Sequence, residues 1–412
     1  MALVQQVFMT KSTSRSNISV LQHNDCCGCK VCGDSCPKSA ITFQKDKEGF
    51  LYPEVNENCV SCGLCVSVCP ELNHGEKSAK VGQEFIGCLD KDVQRRNTGS
   101  SGGVFGLLAS HLIKEGYTIY GAAFDEKLKL HHAPANTAEE LEKLKKSKYI
   151  QCDSSGIYKQ IKRLLAQGEK VMFVGTPCQC NALKNYIGAN NDASIFIVDF
   201  ACHGVPSQDL FDKCIKYYEA VHHCKVLNYG FRHKSKRYGS PQNYVLTIQK
   251  GDKILQKEGK YYEEPFYCGF QKYITLRPSC YRCKWANLDR VGNLTLADFW
   301  GIETVTKKWN RSDHPSLVIL NSDKGRQLFK EIEQDLESII ATREDAVRVN
   351  KSLISPTKKT ASREILFDDL IKEPFDVVVK RHLSVKHRWV RDVYYGIPFC
   401  VRKLILNIAK KL

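Results

Sequence analysis

Residues 26–38 read CCGCKVCGDSCPK, which places five cysteines, Cys26, Cys27, Cys29, Cys32 and Cys36, within eleven positions. Disulfides between such close neighbours would be strained, and a reducing compartment would not keep them oxidised. Thiols at this density are therefore read as metal ligands, and the spacing says of which kind.

Cys26-x2-Cys29-x2-Cys32-x3-Cys36-Pro37 recurs as Cys59-x2-Cys62-x2-Cys65-x3-Cys69-Pro70. This is the bacterial dicluster run, in which the fourth cysteine of each copy ligates the other cluster. Cys26, Cys29, Cys32 and Cys69 are thus assigned to one 4Fe–4S cluster. Cys59, Cys62, Cys65 and Cys36 are assigned to the second. Structural zinc would use two thiol pairs per site and leave the third and fourth spacings without purpose. Cys27 has no place in the pattern and reads as a bystander.

The 412 residues are enough for two or three domains with a buried core, and 42% hydrophobic with 26% charged residues is ordinary for a folded chain. The opening MALVQQVFMTKSTSRSN holds no apolar block of secretory type, and no run is long and apolar enough to span a bilayer. A cytoplasmic location follows as an expectation, and twenty cysteines in such a chain favour metal over disulfides. Residues 1–24 read as a frayed leader and 25–77 as the dicluster domain, with AITFQKDKEGFLYPEV forming a hairpin. The polar stretch 71–83 reads as a linker.

Beyond it, EFIGCLD, YTIYGAAF, KVMFVGTP and SIFIVDFAC have strand character and alternate with helical segments such as GVFGLLASHLIKEG and GIYKQIKRLLAQG. Thr137 with Glu140 makes a capping box, and Ser207 a helix N-cap. The alternation predicts an α/β domain with a parallel or mixed sheet covered by helices, so the whole reads as a small ferredoxin-like α+β domain followed by a larger mixed-sheet α/β domain.

A third set of cysteines is spread over three segments: Cys178 and Cys180 in FVGTPCQCN, Cys202 in DFACHGVPS, and Cys280 with Cys283 in LRPSCYRCKW. From spacing alone, another cluster, a redox-active CxxC and small core cysteines all stay open. Yet GSSGGVFGLLASHL, KYIQCDSSGIYKQIKRLL, FVGTPCQCNALK, VDFACHGVPS and RPSCYRCKWAN…NLTLADFWG follow one another in an order that closely resembles the β-subunit family of coenzyme F-420 hydrogenases and dehydrogenases, over roughly residues 20 to 305. The resemblance implies an FAD-containing iron–sulfur oxidoreductase. It implies a family N-terminal α/β domain over 83–203 and a C-terminal domain over 204–340 carrying the CxxC; residues 341–412, whose composition differs, read as a basic extension and a separate appendage. It also makes Cys178, Cys202, Cys280 and Cys283 the ligands of a third 4Fe–4S cluster near the flavin, with Cys180 second to Cys178. Cys152 stands where relatives more often have serine, and Ala297 replaces a common glycine before Asp298.

Ser100, Ser101, Gly102 and Gly103 open a helix whose free amides suit a pyrophosphate. With Thr176, Pro177 and the family's Asp298, they are the expected FAD contacts. No GxGxxG fingerprint is present. His203, beside Cys202, is the catalytic candidate as a proton relay, with a hydrogen-bonding role near the cluster as the alternative. Arg277, Arg282 and Lys284 flank the CxxC and read as solvated charge, as a counter-charge to the cluster, or as a site for an anionic substrate.

The net charge of +16 is concentrated at the end of the chain: from Lys380 onward there are nine Lys or Arg and one acidic residue, Asp392. IPFCVRKLILNIAKKL (397–412) puts its cations on one helical face, which suits peripheral contact with an anionic membrane or a terminal helix docked on the body. No nucleic-acid-binding motif accompanies it. The expected function is electron transfer between a ferredoxin or other redox-protein donor and an unknown organic two-electron substrate, through the clusters and FAD. The alternative is a non-catalytic electron-transfer subunit of a larger complex.

Overall fold

The computed structural model describes residues 16–73, 82–188, 194–235, 238, 242–385, 393 and 401. The expected linker at 71–83 and the basic segment 397–412 fall largely outside them. No helix among the described residues is long and apolar enough to cross a membrane.

The N-terminal module carries a hairpin of β1 (Ile41–Lys45) and β2 (Leu51–Val55), paired antiparallel from Ile41↔Val55 to Lys45↔Leu51. Short helices Val31–Ser35 and Leu64–Val68 follow the two thiol loops and pack on each other. Residues 16–24, read above as a frayed leader, instead fold onto this module. Ile18 is buried with Cys32, Cys65 and Cys69, and Asn17 caps the turn Ile18–Val20.

The body is an eight-stranded mixed sheet. Its strands are β3 (Glu84–Asp90), β4 (Tyr117–Phe124), β5 (Leu130–Ala135), β6 (Lys170–Gly175), β7 (Ile195–Phe200), β11 (Leu294–Asp298), β12 (Ser316–Leu320) and β13 (Leu336–Ala341), in the spatial order β13-β3-β12-β11-β7-β6-β4-β5. β4, β6, β7 and β11 run parallel, and the outer strands pair antiparallel. Val171, Met172, Phe173, Ile195, Phe196, Ile197 and Val198 are all buried, the continuous apolar run expected of parallel strands covered on both faces. A boundary at 203/204 does not divide this sheet, because β11, β12 and β13 return to it. Between β7 and β11 the chain builds a separate antiparallel sheet of β8 (Lys225–Gly230), β9 (Asn243–Lys250) and β10 (Lys253–Lys260).

The segment after residue 341 is not a detached appendage over its described part. Leu366, Val378, Val379 and Leu383 join the core containing Phe211 and Phe266, while Phe367 packs on Phe50 and Tyr52 of the N-terminal hairpin.

Side chains from both partners lock the module to the body. Asp34 accepts from the amides of Gly156 (2.8 Å) and Tyr158 (3.0 Å), capping the helix Ile157–Ala166, and Lys30 pairs with Asp153 at 2.7 Å. Arg363 donates to Glu48 Oε1 (2.9 Å) and to the Leu276 carbonyl (3.0 Å). Arg277, read above as solvated or as a cluster counter-charge, is fully buried. It donates to the carbonyls of Cys26 (2.6 Å) and Leu51 (3.0 Å) and stacks 4.1 Å from Tyr52.

Candidate functional site

The repeated cysteine runs fold into two thiol groups. Cys29 and Cys32 interact with each other and with Cys69, and Cys26 interacts with Cys32 and Cys69. Cys36, Cys59, Cys62 and Cys65 surround a cavity of about 20 Å³ near the surface, with Val60 and Leu64 beside them. Amides of Ala40 and Ser61 donate to Cys36 Sγ (3.3 Å) and Cys59 Sγ (3.4 Å), and Asn17 Nδ2 donates to Cys59 Sγ at 3.6 Å. Such donors are the usual means of setting a cluster's potential.

Burial, with repulsion from Cys26 and other neighbours, pushes the Cys69 thiol up to about 11. Contact with Cys27 works against a similar rise at Cys29, which still reaches about 11 through burial and its thiol neighbours. Thiols so disfavoured as anions need a bound cation to ionise, which iron provides. The donor set and its sulfur-directed amides fit two clusters.

The third group lies outside the carboxyl ends of the parallel strands, where open α/β sheets place ligands. Cys178 is at the start of the helix Pro177–Ile187 after β6, and Cys202 follows β7. Cys280 and Cys283 flank Arg282 at the end of the turn Pro278–Arg282. All four line one cavity of about 450 Å³. Burial, followed by repulsion from Cys280, Cys178 and Cys283, raises Cys202, while burial and neighbouring thiols push Cys280 up to about 11 and Cys283 to about 12.

The Gly204 amide donates to Cys202 Sγ at 3.4 Å, and Thr176 Oγ1 lies 3.1 Å from Cys178 Sγ. Gly204 has φ +113°, and a Cβ there would sit 2.8 Å from Leu276 Cδ1 and 2.9 Å from Cys280 Cβ, so only glycine lets these segments close on one another. Cys180 turns the other way, into the core, toward the carbonyls of Gly175 (3.5 Å) and Val198 (3.6 Å). The four cavity thiols thus fit a cluster, and Cys180 is placed away from them.

Ser100, Ser101, Gly103, Thr176, Pro177, His203 and Asp298 line the same cavity. Gly102 does not: its amide is spent on Ser316 Oγ at 2.8 Å, and a Cβ there would lie 2.2 Å from the Cys88 carbonyl oxygen, so it braces the loop. Asp298 reaches the wall with its carboxylate already engaged, accepting from Arg232 NH1 and NH2 at 2.8 Å each. It therefore holds Arg232, and both members of the pair line the cavity.

Arg232 also donates to the Ser100 carbonyl (3.2 Å) and stacks 5.1 Å from the Trp300 ring. Burial opposes its charge, but Asp298 holds it protonated. Its Nε and Ser279 Oγ are buried without a hydrogen-bond partner among the described residues. Lys146 and Lys148 add positive charge, although burial pushes Lys148 down to about 7. The cavity size, the helix start at Gly103 and these cations fit a dinucleotide cofactor. His203 is held below its ordinary value by burial and stacks on Tyr273 with ring centroids 5.8 Å apart.

Sequence reasoning gave no role to Arg232, Lys146 or Lys148, whose only signal is a basic residue in an irregular segment. It also set Cys27 aside, yet Cys27 lines the cavity. Cys152 lies 3.3 Å from His132 Nδ1, and burial drives that imidazole down to about 4.

Residues 168–345 match the family described as the C terminus of the coenzyme F420 hydrogenase/dehydrogenase beta subunit, and residues 25–72 match the 4Fe-4S dicluster domain. The chain is 25% identical over 195 residues to a subunit of the F(420)H(2) dehydrogenase of Methanosarcina mazei, covering 44% of this chain and 54% of that protein. It is 30% identical over 166 residues to the coenzyme F420-dependent sulfite reductase of Methanocaldococcus jannaschii, covering 39% of this chain and 24% of that protein. The match thus spans about half the length of the first relative and a quarter of the second. A chain of the F420-reducing [NiFe] hydrogenase complex of Methanosarcina barkeri aligns over 74% of this chain and 95% of its own length, with a TM-score of 0.43 and 13% identity.

Proposed function

We propose that this chain, which joins a dicluster 4Fe–4S domain to a C-terminal domain of the coenzyme F420 hydrogenase/dehydrogenase beta-subunit family, is an iron–sulfur flavoprotein oxidoreductase. It carries single electrons between a ferredoxin-type partner at the outer face of the N-terminal module and an organic two-electron substrate in the 450 Å³ cavity. The observation that carries this reading is the convergence of Cys178, Cys202, Cys280 and Cys283 with Lys146, Lys148 and Arg232 on that one cavity.

Cys26, Cys29, Cys32 and Cys69 would hold one cluster, Cys36, Cys59, Cys62 and Cys65 the second, and Cys178, Cys202, Cys280 and Cys283 the third. Ser100, Ser101, Gly103, Thr176, Pro177 and Arg232 would contact FAD. When bound, FAD supplies the interconversion between one-electron and two-electron chemistry. The chain's own residues do the rest. Arg232, fixed by Asp298, and the two lysines attract and orient anionic groups. The Gly204 amide and the Thr176 hydroxyl hold Cys202 and Cys178 in place. His203, neutral near pH 7, can accept a proton from a substrate at its ring nitrogen. Cys27 and Glu71 of the docked module form part of the cavity wall.

Iron, acid-labile sulfide and released flavin, measured per chain after anaerobic purification, test the reading. About twelve irons with one FAD support it, and about eight irons without flavin overturn it. A non-catalytic wiring role within a larger complex is the second reading, favoured by the relative that is itself one component of a dehydrogenase. It predicts bound clusters without turnover of any small molecule by the isolated chain.

A further inference from the structure

Cys27 belongs to neither repeated run, yet the fold fixes it with unusual care. Arg277 Nε donates to the carbonyl of Cys26 at 2.6 Å, and Gln151 Nε2 donates to the carbonyls of Cys27 (3.1 Å) and Gly28 (3.0 Å). Arg277 NH1 in turn donates to Gln151 Oε1 at 2.9 Å. Three consecutive carbonyls are therefore held by two side chains of the body that brace each other. Gly28 has φ +71°, and a Cβ there would lie 2.0 Å from Gln151 Nε2 and 2.8 Å from Arg277 NH1, so the clamp closes only over glycine.

The clamp sets the Cys27 side chain between two thiols of different groups. It packs against the core cluster that contains Cys29, of the first ferredoxin group, with Val31 and Tyr158, and lines the same cavity as Cys178, of the cavity group. The Tyr158 hydroxyl donates to the Cys29 carbonyl at 2.9 Å, so the far side of the contact is held as firmly as the near side.

We propose that Cys27, clamped at its backbone and standing between the first ferredoxin thiol group and the cavity thiol group, is a positioning residue that joins the two and is not itself an iron ligand. This rests on the three-cluster reading above. A single electron leaving one site arrives at the other, and the thiol is neither oxidised nor deprotonated in between. A thiol hydrogen directed at a ligand sulfur also stabilises the more negative, reduced state of that site, raising its potential.

The test uses the full chain, anaerobically loaded, as wild type, Cys27→Ala and Cys27→Ser. Iron content, EPR-monitored redox titration and stopped-flow reduction by dithionite are read for each. The expected result is about twelve irons in all three proteins. In Cys27→Ala, the potential of the cavity site shifts to more negative values and the fast phase of electron redistribution from the ferredoxin sites is lost. In Cys27→Ser, whose hydroxyl keeps a donor in place, both are partly restored. Loss of about four irons from Cys27→Ala would make Cys27 a ligand and overturn the proposal. Retained iron with wild-type potentials and rates would overturn it as well. Failure of the three-cluster reading looks different, since wild type itself would then hold about eight irons.

Discussion

Arg277 and Cys26 are 251 positions apart in the chain, and the guanidinium of one donates to the carbonyl of the other at 2.6 Å. This contact binds the first ferredoxin loop to the CxxC segment, because Arg277 immediately precedes the turn Pro278–Arg282 that carries Cys280. Arg277→Met leaves three carbonyl or amide oxygens without their donor. It is expected to cost about 3 kcal/mol of stability. Chemical denaturation measures that loss, and faster bleaching of the visible iron–sulfur absorbance in air would show that the first loop has loosened.

Cys178 and Cys180 are two residues apart on one helix and face opposite environments. Cys178→Ser is expected to lower iron by about four per chain, leaving the ferredoxin sites filled. Cys180→Ser keeps the full iron content, and its hydroxyl can reach the same two carbonyls, so the cost is about 1 kcal/mol. Iron assay and thermal unfolding of the two variants side by side decide the matter; equal iron loss in both would refute the assignment.

His132 gives the protein a pH dependence of defined sign. Burial lowers its folded-state value to about 4, against about 6.5 in an unfolded chain. As pH falls from about 6.5 toward 4, the unfolded chain takes up a proton that the folded one refuses, so stability declines through this window. His132→Gln is expected to flatten that part of the profile relative to wild type, read from denaturant midpoints across the range.

The outer ferredoxin group is the natural place for a redox partner to dock. Cys62 is exposed, and Val60 and Leu64 beside it are 57% and 47% exposed. Leu64→Glu should slow reduction by a ferredoxin about tenfold, with salt-dependent kinetics and unchanged iron. Unaltered rates in this variant would move the docking site elsewhere.

The dicluster domain was legible because its pattern is local, two cysteine runs of identical spacing within one short stretch. The strands β3, β4, β6 and β7 were legible from their apolar runs, and the caps at Thr137 and Ser207 from residue type. What stayed hidden depends on distant partners. Nothing near Arg232 announces that Asp298 will clasp it, and nothing in the GSSGG stretch says that Gly102 will be spent on Ser316. Cys27 looked idle because the cavity whose wall it joins is assembled from segments far away in the chain. Residues 16–24 lacked any strong pattern, and Ile18 alone, packed among the thiols, shows why they fold.

The position of β3 has a consequence for the order of assembly. This strand directly follows the N-terminal module in the chain, yet its two neighbours in the sheet are β12 and β13. As the polypeptide leaves the ribosome, residues 84–90 must wait for residues 316–341 before either edge is covered. Pairing across such separations is slow, and an open apolar edge invites aggregation meanwhile. The N-terminal module, whose thiols all lie within the first 69 residues, faces no such delay. Iron delivery to it can begin during synthesis, while the cavity site exists only after the chain has been made as far as Thr357.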